Sequence, residues 1–305
     1  MQKIKIITDS TSDITKEEEK KLGIKVMCFP VTVDGVSYRE RIDFSNEQFY
    51  RMMDNAKEMP TTSQLTAFEI LEVFEELYEE GWTDVIYVTI SSTGSGTYNN
   101  ALSAAEEFKK EMADVEGPKM HINIVDSKNY TAVYGYPVIQ AALKAQKGEN
   151  PDEIIEYLRE WFDCAEVHFV PMTLKYAKKS GRISAASAFA GELLGLRPVI
   201  KIANGVSTVL EKIRGEKNIV PKLLADAERS MTPQTPYIMV KGSDSTLTDT
   251  LAAEMTKKFG YPPEYTVQIG ATVACNAGHN VVGFIIRGRK NLDVIHKNDL
   301  QNRGE

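Results

Sequence analysis

The chain has 305 residues, of which 42% are hydrophobic and 26% are charged, and its formal net charge is −7. This composition is typical of a soluble globular protein with two domains, and the acidic balance argues against binding to nucleic acid or to an anionic membrane surface. The N-terminus lacks a signal-peptide pattern and the apolar runs are no longer than strands, so we predict a cytoplasmic protein without an integral membrane segment.

The first half of the chain alternates predicted strands with predicted helices. Three pairs of Ser or Thr followed three residues later by Glu or Gln mark helix starts, and Asp34-Gly35 between two apolar runs indicates a hairpin. Strands are predicted at residues 4–8, 24–29, 31–33, 36–38, 84–90 and 121–125, and helices after Thr15, Ser45 and Thr66 and at residues 98–113 and 129–147. This alternation predicts a parallel sheet, which binds ligands beyond the carboxyl ends of its strands.

The second half mixes helices with a hairpin. Asn150-Pro151 is typical of a helix start, and we place the domain change just after that helix, which gives domains at residues 1–165 and 166–305. Strands are predicted at residues 167–170, 197–202, 206–213, 237–240, 265–269 and 281–286, helices at 218–230 and 247–259, and a polar turn at 178–184. This order predicts an α+β domain with helices on one face of its sheet.

Residues 91–97, Ser-Ser-Thr-Gly-Ser-Gly-Thr, are the most informative segment, and we call them the hydroxyl run. They lie between an apolar strand and a helix, so free backbone N–H groups are expected at the helix start, where they would bind an anion. The run contains no Lys or Arg, which favours a carboxylate over a triphosphate. The loop Thr61-Thr62-Ser63 also precedes a helix and is expected to face the same crevice.

Two other interpretations of the hydroxyl run stay open at this point. The first is a well-capped turn between strand and helix, since Ser, Thr and Gly cap helices in any case. The second is a nucleophilic Ser95, which would make the protein a serine-dependent esterase or a phosphoryl-transfer enzyme. Residues 94–98 do not match the Gly-x-Ser-x-Gly nucleophile pattern, and the Gly-Lys-Ser/Thr of a phosphate loop is missing from the sequence.

Asp9 and Asp13 follow the first strand and could ligate a metal ion. Asp before Ser or Thr at the end of a strand more often forms a turn or a cap, so we prefer that interpretation. No metal site, no catalytic residue and no cofactor is predicted for this chain.

Several short segments occur in a defined order and spacing: Thr8 to Ile14, Thr62-Ser63-Gln64, Ser91-Ser92, Ser95 to Tyr98, Val125-Asp126-Ser127 and Gly181-Arg182-Ile183. As a set they resemble the DegV family of bacterial fatty-acid-binding proteins, and the resemblance covers essentially the whole chain. It implies an α/β fold in which an N-terminal Rossmann-like three-layer domain (1–165) and a C-terminal two-layer α+β domain (166–305) enclose an acyl tunnel. The implied ligand is a long-chain fatty acid such as palmitate, stearate or oleate.

The resemblance also implies residue roles. Thr62 and Ser95 match the residues with which the family binds the carboxylate, and the lesser candidates are Ser63, Ser91, Ser92 and Gly96. Arg182 and Arg214 match basic residues near the carboxylate opening. Family proteins carry the acyl group for a fatty acid kinase, which supplies ATP and phosphorylates the bound carboxylate, so the implied protein is a carrier and not an enzyme.

The chain departs from the family near its C-terminus. Where the family often has His-x-Gly-Pro-Gly, this sequence has Asn276-Ala277-Gly278-His279-Asn280. Asn276 stands at the histidine position and His279 follows three residues later. We therefore place both residues near the carboxylate or facing a partner, at the point where a kinase would dock.

Overall fold

The protein was analysed as a computed structural model that describes residues 3–117, 119–187 and 195–289. In chain order its strands are β1 Ile4–Asp9, β2 Lys25–Met27, β3 Pro30–Val33, β4 Val36–Arg39, β5 Thr61–Thr62, β6 Asp84–Thr89, β7 His121–Asp126, β8 Ala165–Pro171, β9 Leu196–Ala203, β10 Val206–Arg214, β11 Ile238–Lys241, β12 Thr266–Gln268 and β13 Val281–Arg287. Its helices are α1 Lys16–Leu22, α2 Asn46–Asn55, α3 Ala67–Glu79, α4 Thr97–Glu111, α5 Ala132–Gln146, α6 Pro151–Phe162, α7 Lys175–Ser180, α8 Ser184–Ser187, α9 Ile219–Ser230, α10 Thr246–Phe259 and α11 Ala271–Ala277.

The first sheet is parallel, as the sequence predicts, with the strand order β2-β1-β6-β7. Every residue of β6 is buried, which is expected of a central strand covered on both faces. Capping boxes form at Thr15, Ser45 and Thr66 and begin α1, α2 and α3. Because all four strands run the same way, the loops after β1, β6 and β7 meet at one edge of the sheet.

A small antiparallel sheet, β4-β3-β5, extends this half of the molecule. Its strand β5 forms within the segment Thr61-Thr62-Ser63, for which the sequence predicts a loop. Thr62 pairs with Val31 of β3, so the backbone beside Thr62 is fixed by a strand partner. This pairing gives the Thr62 side chain a rigid support.

The second sheet has the order β10-β9-β8-β13-β11-β12, and all its pairs are antiparallel except β11 with β12. Alternate residues point to opposite faces. On one face Val170 and Phe284 pack in a cluster with α9 and α10, while on the other Phe169 and Ile202 join the larger core shared with the first sheet. The predicted mixed α/β fold with a parallel sheet and a further sheet is therefore observed. The domain boundary at residue 166 stays a prediction.

Two local predictions were wrong, and one helix was missed. Residues 178–180 belong to α7, which ends at Gly181 with a φ of 70°, and not to a turn. Helix α5 begins at Ala132, since residues 127–131 form a loop with positive φ at Lys128 and Thr131. Helix α11 was missed because its seven residues include no charged side chain that would mark a solvent face. None of the described helices combines the length and apolar character needed to cross a membrane.

Candidate functional site

A cavity of about 430 Å³ lies between the first and second sheets. This volume falls within the range of roughly 300–1,000 Å³ that is usual for small-molecule sites. Phe29 and Ile90 line it from the first half of the chain, and Phe169, Ile202 and Val240 line it from the second sheet. All five side chains are buried, so this end of the cavity is apolar and shielded from water.

The other end of the cavity is polar and open. Thr62 lines it from β5, Ser63 and Gln64 line it from the loop before α3, and residues 92–96 line it from the loop after β6. Ser63, Gln64 and Thr93 are exposed, so we call this end the opening. The cavity thus joins a solvent-facing group of hydroxyls to an enclosed apolar interior.

The hydroxyl run does not offer the free backbone N–H groups that the sequence analysis expected. Each backbone N–H from residue 91 to residue 97 already has an acceptor. The N–H groups of residues 91, 92 and 96 donate to Asn129 O, Asp126 Oδ1 and Gln64 Oε1. Those of residues 93, 94 and 95 donate to Ser91, through its Oγ and its carbonyl, and that of residue 97 donates to Ser95 Oγ. The cause is a repeated Ser-x-Thr turn, in which Ser91 and Ser95 each accept from the backbone two residues on. Residues 91–97 therefore contribute donors to a ligand through their side chains and not through their backbone.

The main predicted residues, Thr62 and Ser95, both line the cavity at its opening. Ser95 Oγ lies 2.9 Å from Thr97 Oγ1, and either oxygen can donate to the other. If Thr97 donates, the Ser95 proton is available to a ligand. Thr62 and Ser63 have no side-chain hydrogen-bond partner among the described residues, so both hydroxyls are available as donors.

The remaining lesser candidates are already engaged. Ser92 lines the cavity, but its hydroxyl donates to Asp126 Oδ2 at 2.5 Å. Ser91 is buried outside the cavity lining, with its Oγ 2.8 Å from Thr93 Oγ1. Gly96 lines the cavity, yet its N–H donates to Gln64 Oε1 at 3.1 Å. The structure therefore does not present Ser91 or the Gly96 amide as free ligand donors.

Two of the four residues predicted near the carboxylate or facing a partner, Arg182 and Asn276, lie at the cavity. Arg182 lines it, is exposed, and donates from Nη1 to Ser180 O at 2.8 Å. Asn276 lines it from α11 and donates from Nδ2 to Thr272 O at 2.7 Å. Arg182 therefore adds a positive charge to the lining of the cavity.

His279 does not line the cavity. Its Nε2 lies 2.8 Å from Asp54 Oδ1, its Nδ1 lies 2.9 Å from Ser243 Oγ, and its ring stacks on Tyr50. These contacts join α2 to loops of the second sheet. His279 therefore bridges α2 and the second sheet outside the cavity lining.

Arg214 does not line the cavity either. The tip of the β9–β10 hairpin reaches the hydroxyl run, where Thr93 Oγ1 donates to Gly205 O at 3.1 Å. Arg214 lies at the opposite end of β10, eight residues after Val206, which corresponds to roughly 27 Å of extended strand. The sequence motif could not show which end of the hairpin approaches the opening.

Buried carboxylates support the site from behind. Asp9 accepts from Tyr134 Oη at 2.6 Å, Ile90 N at 2.8 Å and Thr11 N at 3.1 Å. Burial raises the pKa of Asp9 from 3.8 to about 6, against these hydrogen bonds, which lower it. Asp9 thus acts as a turn and cap residue, as the sequence analysis preferred.

A second carboxylate, Glu40, was missed in the sequence. Its Oε1 accepts from Thr272 N at 2.9 Å, and its Oε2 accepts from Ser10 Oγ at 2.6 Å and from Thr272 Oγ1 at 2.7 Å. Asp13 acts beside it and accepts from Gly270 N at 2.8 Å. Together they tie the start of α11 to the first half of the chain, and burial raises the pKa of Asp13.

An apolar cavity with a hydroxyl-lined opening, set between a parallel and a mixed sheet, defines an α/β protein with an internal ligand-sized cavity. The chain belongs to the DegV family: the family model, described as an uncharacterised protein of the DegV family, matches residues 3–289. The predicted family is therefore confirmed.

Relatives agree over nearly the whole chain. A DegV domain-containing protein of Listeria monocytogenes is 30% identical over 93% of this chain and 98% of its own. The solved structure of a DegV family protein from Thermus thermophilus, described for fatty acid binding, has a TM-score of 0.81 at 26% identity and covers 94% of this chain and 100% of its own. A fatty acid binding DegV family protein from Streptococcus agalactiae has a TM-score of 0.82 at 26% identity, with 95% and 100% covered.

Proposed function

We propose that this protein binds a long-chain fatty acid, such as palmitate, stearate or oleate, with its tail in the cavity and its carboxylate on Thr62 and Ser95. The observation that carries the proposal is the shape and chemistry of one cavity, buried and apolar inside and rich in hydroxyls at its opening. The fatty acid binding described for the similar solved structures supports the same assignment.

The two ends of such a ligand would contribute differently to binding. About ten buried methylenes would contribute about 8 kcal/mol of transfer free energy. Each hydrogen bond to the charged carboxylate adds about 1.5–3 kcal/mol. The tail therefore supplies most of the affinity, and the hydroxyls fix the direction in which the acid enters.

This orientation leaves the carboxylate accessible from solvent, as delivery to a fatty acid kinase requires. In that reaction a carboxylate oxygen attacks the γ-phosphorus of ATP, the bond to the ADP oxygen breaks, and an acyl phosphate forms. Hydroxyl donors leave one carboxylate oxygen open to this attack. We include kinase presentation in the proposal, with the catalytic groups and the ATP supplied by the kinase.

A serine-dependent esterase or phosphoryl-transfer activity at Ser95 has less support. An active nucleophile needs a general base in hydrogen-bond reach. The hydrogen-bond partner of Ser95 Oγ in the described residues is Thr97, through its hydroxyl and its backbone N–H. A covalent adduct of Ser95 with a serine-reactive phosphonate would nevertheless favour the enzyme over the carrier.

Native mass spectrometry of delipidated protein tests the binding proposal. Added palmitate or oleate should produce a one-to-one complex, and a protein that takes up neither acid would refute fatty-acid binding. For the second part, the loaded protein is mixed with ATP and a fatty acid kinase, and acyl phosphate is trapped with hydroxylamine. Binding without acyl phosphate would reject kinase presentation alone.

A further inference from the structure

We propose that Tyr130 and Gln64 complete the head-group site, as neutral donors that select a free carboxylate over an ester or an alcohol. This inference rests on the proposed fatty-acid binding. Both side chains line the cavity, and each is seated against a glycine of the hydroxyl run. The two glycines, Gly94 and Gly96, lie on either side of Ser95.

Tyr130 occupies the space that a side chain at position 94 would need. A Cβ on Gly94 would collide with the Tyr130 hydroxyl and lie 2.7 Å from its Cε1. The backbone at Gly94 is not in the left-handed region, so glycine is needed there for room. The Tyr130 hydroxyl has no hydrogen-bond partner among the described residues, and it is therefore a free donor beside Ser95.

A strained loop holds Tyr130 in this place. Lys128 and Thr131 flank it with φ values of 53° and 52°, and a β-branched residue rarely adopts such a conformation. Conformations of this kind are energetically unfavourable and persist where surrounding bonds enforce them. Here Thr131 Oγ1 donates to Asp13 Oδ2 at 2.6 Å, and Lys128 N donates to Asp126 Oδ1 at 2.9 Å.

Asp126 connects this loop to the hydroxyl run. Besides Lys128 N it accepts from Ser92 N at 3.0 Å and from the Ser92 hydroxyl. Asn129 O in turn accepts from Ser91 N at 3.1 Å. The Tyr130 loop and the run therefore form one rigid unit, as a pre-organised head-group site requires.

Gln64 is oriented by the second glycine. Its Oε1 accepts from Gly96 N–H at 3.1 Å, and a Cβ on Gly96 would collide with that same oxygen. The other end of the carboxamide, Nε2, carries two N–H bonds and has no hydrogen-bond partner among the described residues. Gln64 therefore faces the opening as a donor.

The number of donors that can reach one group explains the proposed selectivity. An ionised carboxylate has two oxygens that can accept several hydrogen bonds, whereas an ester offers fewer and weaker acceptors and a fatty alcohol adds a competing donor. Thr62, Ser95, Tyr130 and Gln64 would all donate to the same group. A free acid satisfies these donors better than its methyl ester.

The experiment compares the affinities of palmitic acid, methyl palmitate and hexadecanol for wild type, Tyr130→Phe and Gln64→Leu. Each substitution removes one charge-assisted hydrogen bond, so it should weaken acid binding about tenfold and ester binding clearly less. Tyr78→Phe is the matched control, because Tyr78 lies on α3 away from the cavity and packs on Phe108. Its acid affinity should equal that of wild type.

The glycines provide a second, independent arm. Gly94→Ala should displace Tyr130, and it needs no unusual backbone conformation, so the fold should persist. The ratio of acid to ester affinity is compared between Tyr130→Phe and the double variant that also carries Gly94→Ala. If Gly94→Ala acts through the Tyr130 hydroxyl, the two ratios should be equal. An unchanged ratio in both Tyr130→Phe and Gln64→Leu, or equal losses for acid and ester, would overturn the inference. A wild-type protein that binds neither acid nor ester would reject fatty-acid binding itself.

Discussion

The Tyr134 hydroxyl donates a hydrogen bond of 2.6 Å to Asp9 Oδ1 in the fully buried space below the hydroxyl run. Asp9 Oδ2 at the same time accepts from Ile90 N, at the end of β6. One carboxyl group therefore joins the ends of β1 and β6 to helix α5. Its protonation state affects the stability of the whole edge of the sheet that carries the site.

Stability should depend on pH through Asp9. Burial raises the pKa of its carboxyl from 3.8 to about 6 in the folded protein. As pH rises from about 4 to about 6, Asp9 loses its proton in the unfolded chain before it does so in the folded protein. The free energy of unfolding therefore falls, by about 3 kcal/mol for a shift of this size. Above the folded pKa the contribution of this group is constant. Denaturant unfolding across the acidic range measures the decline.

Tyr134→Phe should change this profile in a defined direction. The hydrogen bond from Tyr134 favours the charged form of Asp9, so its removal raises the pKa of Asp9 further. The fall in the free energy of unfolding then extends to higher pH. The variant should also be less stable at neutral pH, by about 1–3 kcal/mol for a buried hydrogen bond to a charged group. Identical pH profiles for wild type and Tyr134→Phe would show that Asp9 does not control this transition.

Glu40 should be needed to hold α11 in place. Glu40→Ala removes three hydrogen bonds, two of them from Thr272, and leaves the buried donors unpaired. We expect the free energy of unfolding to fall by about 3–5 kcal/mol and fatty-acid affinity to fall with it, since α11 lines the cavity. Chemical denaturation measures the first effect. Glu72→Ala, at an exposed position on α3, is the control and should change neither quantity.

Thr62 should act on the head group alone. Thr62→Val keeps the shape of the side chain and removes a hydroxyl that has no partner among the described residues, so stability should be preserved. Affinity for palmitate should fall about tenfold, corresponding to one lost hydrogen bond to a charged acceptor. Titration calorimetry against Ser103→Ala, an exposed hydroxyl of α4, provides the comparison. Equal affinities in the two variants would place the carboxylate elsewhere.

Chain-length preference should respond to the volume of the interior. Ala277 is buried and lines the cavity from α11. Ala277→Leu adds three carbons to that wall, so long acids should lose affinity while shorter ones are retained. Competition between palmitate and decanoate for the variant measures the shift. A uniform loss for both acids would indicate a distorted fold, and equal retention of both would place the tail away from α11.

Features that depend on neighbouring residues were the ones that sequence could predict. The capping boxes at Thr15, Ser45 and Thr66 involve residues three apart, and all three formed. The parallel order of the first sheet also followed, because it depends on the alternation of strands and helices. The cavity-lining positions of Thr62 and Ser95 agree with the motifs, while their contact with a carboxylate stays a prediction.

Features that depend on side chains bonding to nearby backbone, or on unusual backbone conformations, could not be predicted from the sequence. The hydroxyl run was expected to leave backbone donors free, but Ser91 and Ser95 use their own oxygens to accept from those N–H groups. Tyr130 gave no signal because its position depends on positive φ values at Lys128 and Thr131. Tyr130 is distant in sequence from the glycine that it faces, so only the fold brings it to Gly94.

The hydrogen bond between Thr93 and Gly205 joins the hydroxyl run to the tip of the β9–β10 hairpin, so the two halves of the chain touch at the opening. In the proposed complex, a lipid seated behind this contact would exchange when the contact breaks. Residence time would then be set by the movement of the hairpin tip, which is the same for every acid, whereas equilibrium affinity would still increase with tail length. Such a protein would release short and long acids at similar rates and discriminate between them at the stage of loading.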